Sequence, residues 1–498
     1  MPDRQFRLYD TLTRKVKPLV LAEPNHLRFY SCGPTVYSYA HIGNFRTFLT
    51  ADLIVRTAQA LGWRVTSVSN ITDVGHLTQD DTADAGGDDK MASALKSKEG
   101  EQFVNVWDLA EHYALAFEED WRTLNLLRPT VRPRATQHMR EQIVAIEELI
   151  AKGHAYETPT GVYFSVESFA DYGKLSGNRD RDSLQVAVRA VVQDDNKRAP
   201  ADFALWKKDD KHLMQWFSPW GWGFPGWHIE CSAMARQYLG DTIDLHAGGE
   251  DLVFPHHECE IAQSESITGK PFANHWLHVR FLQVEGEKMS KSQGNFYTLR
   301  DLLADGYDPL AIRYALIAVP YGKPLNFTQQ SLRDAEGNVG RFRECERRII
   351  AALGALPDTV EAPTPGASMA NLVEIYDELL GAMCDDLNTS IAIAKALEGV
   401  KVVLRQPELT AEEARAAAWF LSAVNDVLGI VRAPKSGTAS EAADAIPVID
   451  GRTVEEWIEE RNAAKQAKDF SGADAIRDRL ASQGIELRDS PSGTTWVK

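Results

Sequence analysis

Cysteine is scarce: the 498 residues hold five, at Cys32, Cys231, Cys259, Cys345 and Cys384. An odd handful spread this widely excludes a disulfide framework and fits a reducing cytosol. Long apolar runs are missing too. No stretch reaches the roughly 18 apolar residues of a transmembrane helix, so no membrane association is expected. The opening MPDRQFRLYD has no charged-then-apolar pattern, so no secretory leader is expected and the location should be cytoplasmic. Positive charge is in deficit. Lys and Arg number 54 against 71 Asp and Glu, a net charge of −17. Such a field repels nucleic acid at long range, so any RNA contact depends on local basic patches. There is no internal repeat.

What is present is an ordinary globular composition, 44% hydrophobic and 25% charged. The chain is too long for one core and predicts three or four domains. Its organising stretch is LRFYSCGPTVYSYAHIGNFRTF, Leu27 to Phe48. Leu27 to Tyr30 reads as a buried strand, Gly33 and Pro34 break it, and a helix follows His41-Ile42-Gly43-Asn44. A strand, a glycine break and a helix start make a site for negative charge, because the first helical N–H groups have no partner within the helix. A nucleotide phosphate is expected at His41–Asn44 and a metal at Cys32.

In chain order, residues 1–125 read as the first half of an α/β domain, with a second strand over Trp63 to Ser69. Thr78 to Asp89 is acidic and reads as a solvated loop. Metal binding by Asp80, Asp81 and Asp84 lacks the glycine and glutamate placement of a calcium loop. Residues 126–220 read as an insertion with a helix over Gln137 to Lys152, capped by Gly153, and a strand from Gly161. Its Lys197, Arg198, Lys207, Lys208 and Lys211 form a modest basic stretch that fits surface lysines or RNA contact. Residues 221–285 return to the α/β pattern, with GWHIECSAMAR as a turn into a helix. Pro255 suits a first helical position before His256 to Gln263, and His275 to Val284 reads as one strand. Residues 286–335 open with a polar loop carrying Lys288-Met289-Ser290-Lys291-Ser292. Residues 336–432 are helical, with apolar faces at Leu372, Ile375, Leu379 and Met383, and at Ile391, Ala394, Leu397 and Val400. Linkers fall near Leu356 to Ser368 and over 433–445. The last module, 446–498, predicts two helices and two strands.

Cys32, Cys231, His256 and Glu260 offer a tetrahedral sulfur, nitrogen and oxygen donor set, for which zinc is the best-suited divalent ion. His256 and Glu260 are four apart and share a helix face. Cys259 and His257 compete, and periodicity cannot choose between Cys259 and Glu260. Attack on an α-phosphorus builds negative charge on the phosphate and the departing pyrophosphate. Cations and N–H donors at His41, Asn44, Lys288 and Lys291 would stabilise that charge.

Together these segments resemble the class I aminoacyl-tRNA synthetases, and among them the cysteinyl-tRNA synthetase family. The matching segments are His41-Ile42-Gly43-Asn44, Lys288-Met289-Ser290-Lys291-Ser292, Cys32-Gly33-Pro34-Thr35-Val36-Tyr37, Gly226 to Met234 and Phe254 to Glu260. The resemblance implies an α/β fold: a class I Rossmann-like catalytic domain with an insertion, then an α-helical bundle and a small C-terminal α+β module. It implies zinc at Cys32, Cys231, His256 and Glu260, leaving Cys259 and His257 outside the ligand set. Thr72, Trp227 and His246 would line the amino-acid pocket. Gly249 and Asp251 would meet the ribose, and His41, Gly43, Asn44, Lys288 and Lys291 the ATP, with Mg2+ as its counter-ion. The partners implied are tRNA(Cys), cysteine and ATP, and a monomer is expected. Residues 286–335 would contact the tRNA stem, 336–432 would bind tRNA and 446–498 the anticodon. Shorter members run directly from Asp73 into Asp-Asp-Lys; here Asp88-Asp89-Lys90 stands displaced, and no role is assigned to it.

Zinc suits discrimination against serine. A hydrophobic pocket separates small groups by only about 1–3 kcal/mol, whereas a bound thiol becomes a soft, strongly held ligand. No editing domain is then needed, and the insertion looks too small for one. Two other readings compete: a cysteine ligase with an amino-sugar acceptor, as in mycothiol assembly, and a non-catalytic paralogue. The C-terminal module argues against the first, and the two complete signatures against the second.

Overall fold

Strand His26–Ser31 buries every residue but Arg28, the burial of a strand covered on both faces. It lies inside a four-stranded parallel sheet ordered Trp276–Val279, Leu245–Gly249, His26–Ser31, Arg64–Ser69. Helix Ile42–Ala60 makes the crossover from the third strand to the fourth. In such sheets ligands collect at the carboxyl ends of the strands. Cys32 follows one such end, Asn70 to Thr72 follow another, and Gly249 is a third. The computed structural model describes residues 4–75, 77–79, 86–178, 196–289, 295–432, 448–449, 452–467, 469–482, 485–490 and 493–497. Asp80, Asp81, Asp84, Lys291 and the 433–445 linker lie outside them.

Two compact units divide at residues 433 and 434. In the first, the insertion forms a five-stranded antiparallel sheet ordered Trp216–Ser218, Gly221–Pro225, Phe203–Lys207, Gly161–Phe164, Ala155–Thr158. Four longer helices follow, Gln329–Leu353, Asn371–Cys384, Thr389–Leu404 and Ala411–Leu428. The second unit packs helices Val454–Gln466 and Phe470–Ser482 with a hairpin of Glu486–Ser490 and Gly493–Val497. Its small core is Trp457, Ile476, Leu480 and Ile485.

Several expectations need correction. The stretch read as one strand, His275 to Val284, is two: Trp276–Val279 in the parallel sheet, and Leu282–Val284 in a three-stranded sheet with Glu287–Lys288 and Leu325–Phe327. A run without glycine or proline, HWLHVRFLQV, gives no local sign of a change of sheet. Pro255 does not open the helix, which begins at Glu258; Phe254 is extended and its peptide to Pro255 is cis. The acidic loop is framed by a short ladder of Leu77–Gln79 with Gly86–Asp89. In Thr389–Leu404 the buried stripe is Ala392, Ile393, Ala396, Gly399, Val400 and Val403, and Ile391 is 49% exposed. Small size selects that stripe: a Cβ on Gly399 would lie 2.1 Å from the Phe420 ring. The helix approaches its neighbours too closely for a bulky seam.

A buried ion cluster ties the central helix to the last of the four. Asp52 accepts from Arg56 Nε at 2.7 Å, from Arg313 and from the Leu127 N–H at 2.7 Å. Arg313 Nε donates to the Leu428 carbonyl, and Asn125 Nδ2 to the Gly429 and Arg432 carbonyls. The helix end at Leu428 therefore finds donors for its unpaired carbonyls in the catalytic core. Burial raises the Asp52 carboxyl, but the two guanidiniums outweigh it and hold it below the usual range. Its stabilising contribution is complete above the unfolded pKa near 4 and is lost as pH falls through the lower folded value. Asp52→Ala would leave Arg56 and Arg313 buried without their anion. It should cost about 3–5 kcal/mol in urea unfolding at neutral pH. A loss under about 1 kcal/mol would show that the cluster is not an anchor.

Candidate active site and metal centre

His41 is the N-cap of helix Ile42–Ala60 and builds a reciprocal box with Asn44. Its Nδ1 accepts from the Asn44 N–H at 3.2 Å, and Asn44 Oδ1 accepts from the His41 N–H at 3.1 Å. Residues flanking the second signature return to this point. The Ile42 N–H donates to the Tyr297 carbonyl at 3.0 Å, and Phe296 meets the His41 ring edge-on at 5.3 Å. Met289 Cε would lie 3.3 Å from a Cβ on Gly43, so glycine there leaves room for the loop. Lys288 ends the short Glu287–Lys288 strand; its side chain, like Lys291, is outside the described residues.

A cleft of about 340 Å3 opens here, lined among others by Cys32, His41, Asn44, Trp227, Gly249 and Asp251. Gly33 permits the tight turn after the central strand: a Cβ there would fall 1.6 Å from the Asn70 carbonyl oxygen. The Gly33 N–H donates to Asn70 Oδ1 at 2.9 Å.

Behind Cys32 lies a fully buried polar cluster. The Cys32 and Cys231 sulfurs are 4.0 Å apart, and Cys32 is 3.7 Å from Glu260 Oε1. His256 Nε2 lies 2.9 Å from the same oxygen. Glu260 Oε2 accepts from His246 Nε2 at 2.8 Å. Tetrahedral zinc with ordinary bond lengths would set neighbouring donors about 3.3–3.8 Å apart, and these three separations lie within a few tenths of an ångström of that range. Among the described residues the donor atoms of two groups lie within 4.8 Å of one another: Cys32, Cys231, His256 and Glu260, and Cys32, His246, His257 and Glu260. The first has two thiols, the softer set.

The electrostatics suit a cation. Burial raises the Glu260 carboxyl, but the His246 and His256 imidazoles outweigh it and hold it at about 2. Burial lowers His256, yet Glu260 and Cys231 bring it up to about 10. The hydrogen bond from Cys32 brings Cys231 down to about 6, while burial pushes Cys32 well up, so the two thiols share a proton. A divalent ion can displace those protons.

The structure gathers Cys32, Cys231, His256, Glu260 and His246 in one place, with Trp227 stacked on His256 at 4.2 Å. Thr72 and His246 do not line the cleft. Thr72 Oγ1 donates to buried Glu230 at 2.9 Å, and His246 packs on Trp276 at 4.7 Å. Sequence reading missed the supporting imidazoles. His228 Nδ1 is 2.9 Å from His256 Nδ1, and a chain runs from Cys32 through His257 and His278 to Thr11. His228 and His278 lie in elements far from His256 and His257 in sequence, and no spacing links them to that pair. Lys90 was also left without a role, and it lines the cleft.

The family described as tRNA synthetases class I (C) catalytic domain matches residues 18–337. Mycobacterium tuberculosis methionyl-tRNA synthetase, in complex with methionyl-adenylate, superposes with a TM-score of 0.56 at 17% identity, covering 81% of this chain and 92% of that one. The parallel sheet and the cleft at its carboxyl edge are therefore a class I aminoacyl-tRNA synthetase fold. The cysteine–tRNA ligase of Salinibacter ruber is 54% identical over 100% of this chain and 99% of its own length. That of Solibacter usitatus is 42% identical, with 99% of each chain covered. This chain belongs to the cysteine–tRNA ligase family, and it is an enzyme of the ligase class.

Replacing single donors distinguishes the two groups of ligands. Cys231→Ser and His256→Ala should each reduce bound metal at least tenfold by elemental analysis, whereas His257→Asn should keep it. Full metal in Cys231→Ser with loss in His257→Asn would move the ion to the second group.

Proposed function

We propose that this chain activates cysteine with ATP and transfers it to tRNA(Cys). The observation that carries this reading is a sulfur-containing donor cluster opening, through Cys32, into a cleft built on a capped helix start. Cys32, Cys231, His256 and Glu260 would hold a zinc ion. When bound, that ion supplies a soft Lewis-acid centre that accepts a thiolate far better than a hydroxyl. Trp227 walls the amino-acid end of the cleft, and Thr72 and His246 support it from behind. Gly249 and Asp251 take the ribose of ATP, which carries Mg2+. The His41 and Asn44 helix start, with Gly43, receives the phosphates, and Lys288 and Lys291 neutralise the departing pyrophosphate.

In the first step the cysteine carboxylate attacks the α-phosphorus and pyrophosphate leaves. In the second, the terminal ribose hydroxyl of tRNA attacks the adenylate carbonyl and AMP leaves. Residues 286–335 would reach the tRNA stem, the 336–432 helices its body and 446–498 the anticodon. No described helix is long and apolar enough to cross a membrane; a monomeric cytoplasmic enzyme is the finer part of this reading. The amino-sugar ligase and the non-catalytic paralogue are not favoured, because the full-length relatives are cysteine–tRNA ligases.

Pyrophosphate exchange should run with cysteine and be at least about 10³-fold slower with serine. That ratio exceeds what a shape-selective pocket gives a small group, and chelation should abolish it. Metal-free protein that still prefers cysteine would exclude the ion from selection. Lys291→Ala should slow exchange about 100-fold at unchanged metal content, the usual cost of one transition-state donor. Ending the chain at residue 433 should impair charging of tRNA while exchange persists; loss of both would make 434–498 structural.

A further inference from the structure

Lys90 stands in the same cleft, and neither signature includes it. It opens the short helix Lys90–Leu95, and the residues on either side fix its backbone. Asp89 Oδ1 accepts from the Met91 N–H at 2.9 Å, and Asp89 Oδ2 lies 3.5 Å from His212 Nε2. Both side chains of that pair are nearly buried, at 9% and 2% exposure. His212 is in turn stacked on Phe224 at 3.7 Å. Met91, 1% exposed, is part of the core around Tyr113 and Val74. The Asp89 cap and the burial of Met91 hold the backbone on either side of Lys90. Its ammonium sits 5.5 Å from the centre of the Tyr37 ring, and both residues line the cleft.

Position narrows the role. Tyr37 belongs to the segment 32–41, which leads from the Cys32 cluster to the His41 helix cap. One end of that segment is the thiol end of the cleft and the other is the phosphate end. A cation over its middle stands where an amino-acid carboxylate would meet a phosphate. Among the described residues lining the cleft, Lys90 is the one lysine and Asp251 the one carboxylate.

We propose that Lys90 is a further catalytic residue, whose ammonium binds the α-phosphate oxygens while the cysteine carboxylate adds to phosphorus. The proposal rests on the ATP-dependent reading above. In the step, a carboxylate oxygen forms a bond to the α-phosphorus. The bond from that phosphorus to the bridging oxygen breaks, and its electron pair leaves with pyrophosphate. Lys90 keeps its proton and stabilises the extra negative charge shared by the α-phosphate oxygens. Asp89, which caps the helix that Lys90 opens, also lies beside His212 of the insertion.

The test is steady-state pyrophosphate exchange by the full chain, with Lys90→Met, which keeps the aliphatic stem, and Lys90→Arg, which keeps the charge. Lys90→Met should lower kcat about 100-fold while KM for cysteine and for ATP move less than about threefold. Metal content should match the wild type, and Lys90→Arg should recover about tenfold. An unchanged kcat in Lys90→Met overturns the proposal. So does a defect confined to either KM, which would mean ground-state binding alone, or equal losses in both variants, which would make Lys90 a structural prop. Wild-type protein without any cysteine-dependent exchange would instead defeat the underlying ATP reading.

Discussion

The Glu260 carboxylate is the constraint around which the site is arranged. It is fully buried, and the partners of its oxygens among the described residues are imidazoles and a thiol. A buried carboxylate is costly unless both its oxygens are engaged. One oxygen takes His246 and the other faces His256 and Cys32, so three strands and helices must meet within a few ångströms. His246 is fixed by the sheet, Cys32 by the end of the central strand, and His256 and Glu260 by the turn and helix after Pro255. Displacing any of these would strand a charge in the interior. The donor side chains are therefore held by the fold itself, which is what selective binding requires.

The phosphate end relies on a different device. Backbone N–H groups of a helix start are organised by the His41 and Asn44 box, and the segment after the second signature is fastened to the same turn by Tyr297 and Phe296. Two regions separated by about 250 residues thus share one anchoring point. The Asp52, Arg56 and Arg313 cluster then fixes the other end of the same helix against the helical region. One helix connects the chemistry to the part of the chain proposed to hold tRNA.

Much of this could be read from the residues. The central strand, the helix after His41, the helix after Trp227 and the two helices and hairpin of the last module follow from patterning and breakers. Bulk hydrophobicity misled at Thr389–Leu404, where Ile391 is exposed and alanines and Gly399 make the contact, because close approach rewards small side chains. At His275 to Val284 a run with no glycine or proline passes from one sheet to another without a local break signal. His228 and His278 were given no role from the sequence, and adjacent His257 stood only as a competing ligand, since each matters through a neighbour brought in by the fold.

The residues alone determined the family and the helix start after His41, and the resemblance singled out the four candidate metal donors, because long specific segments and local backbone rules are written along the chain. The tertiary structure decided which atoms share a neighbourhood: that His246 backs Glu260, that a second imidazole group also reaches Cys32, and that Lys90 enters the cleft. Those facts depend on distances between elements far apart in sequence. Such distances are set by sheet order and packing, which local patterning does not encode.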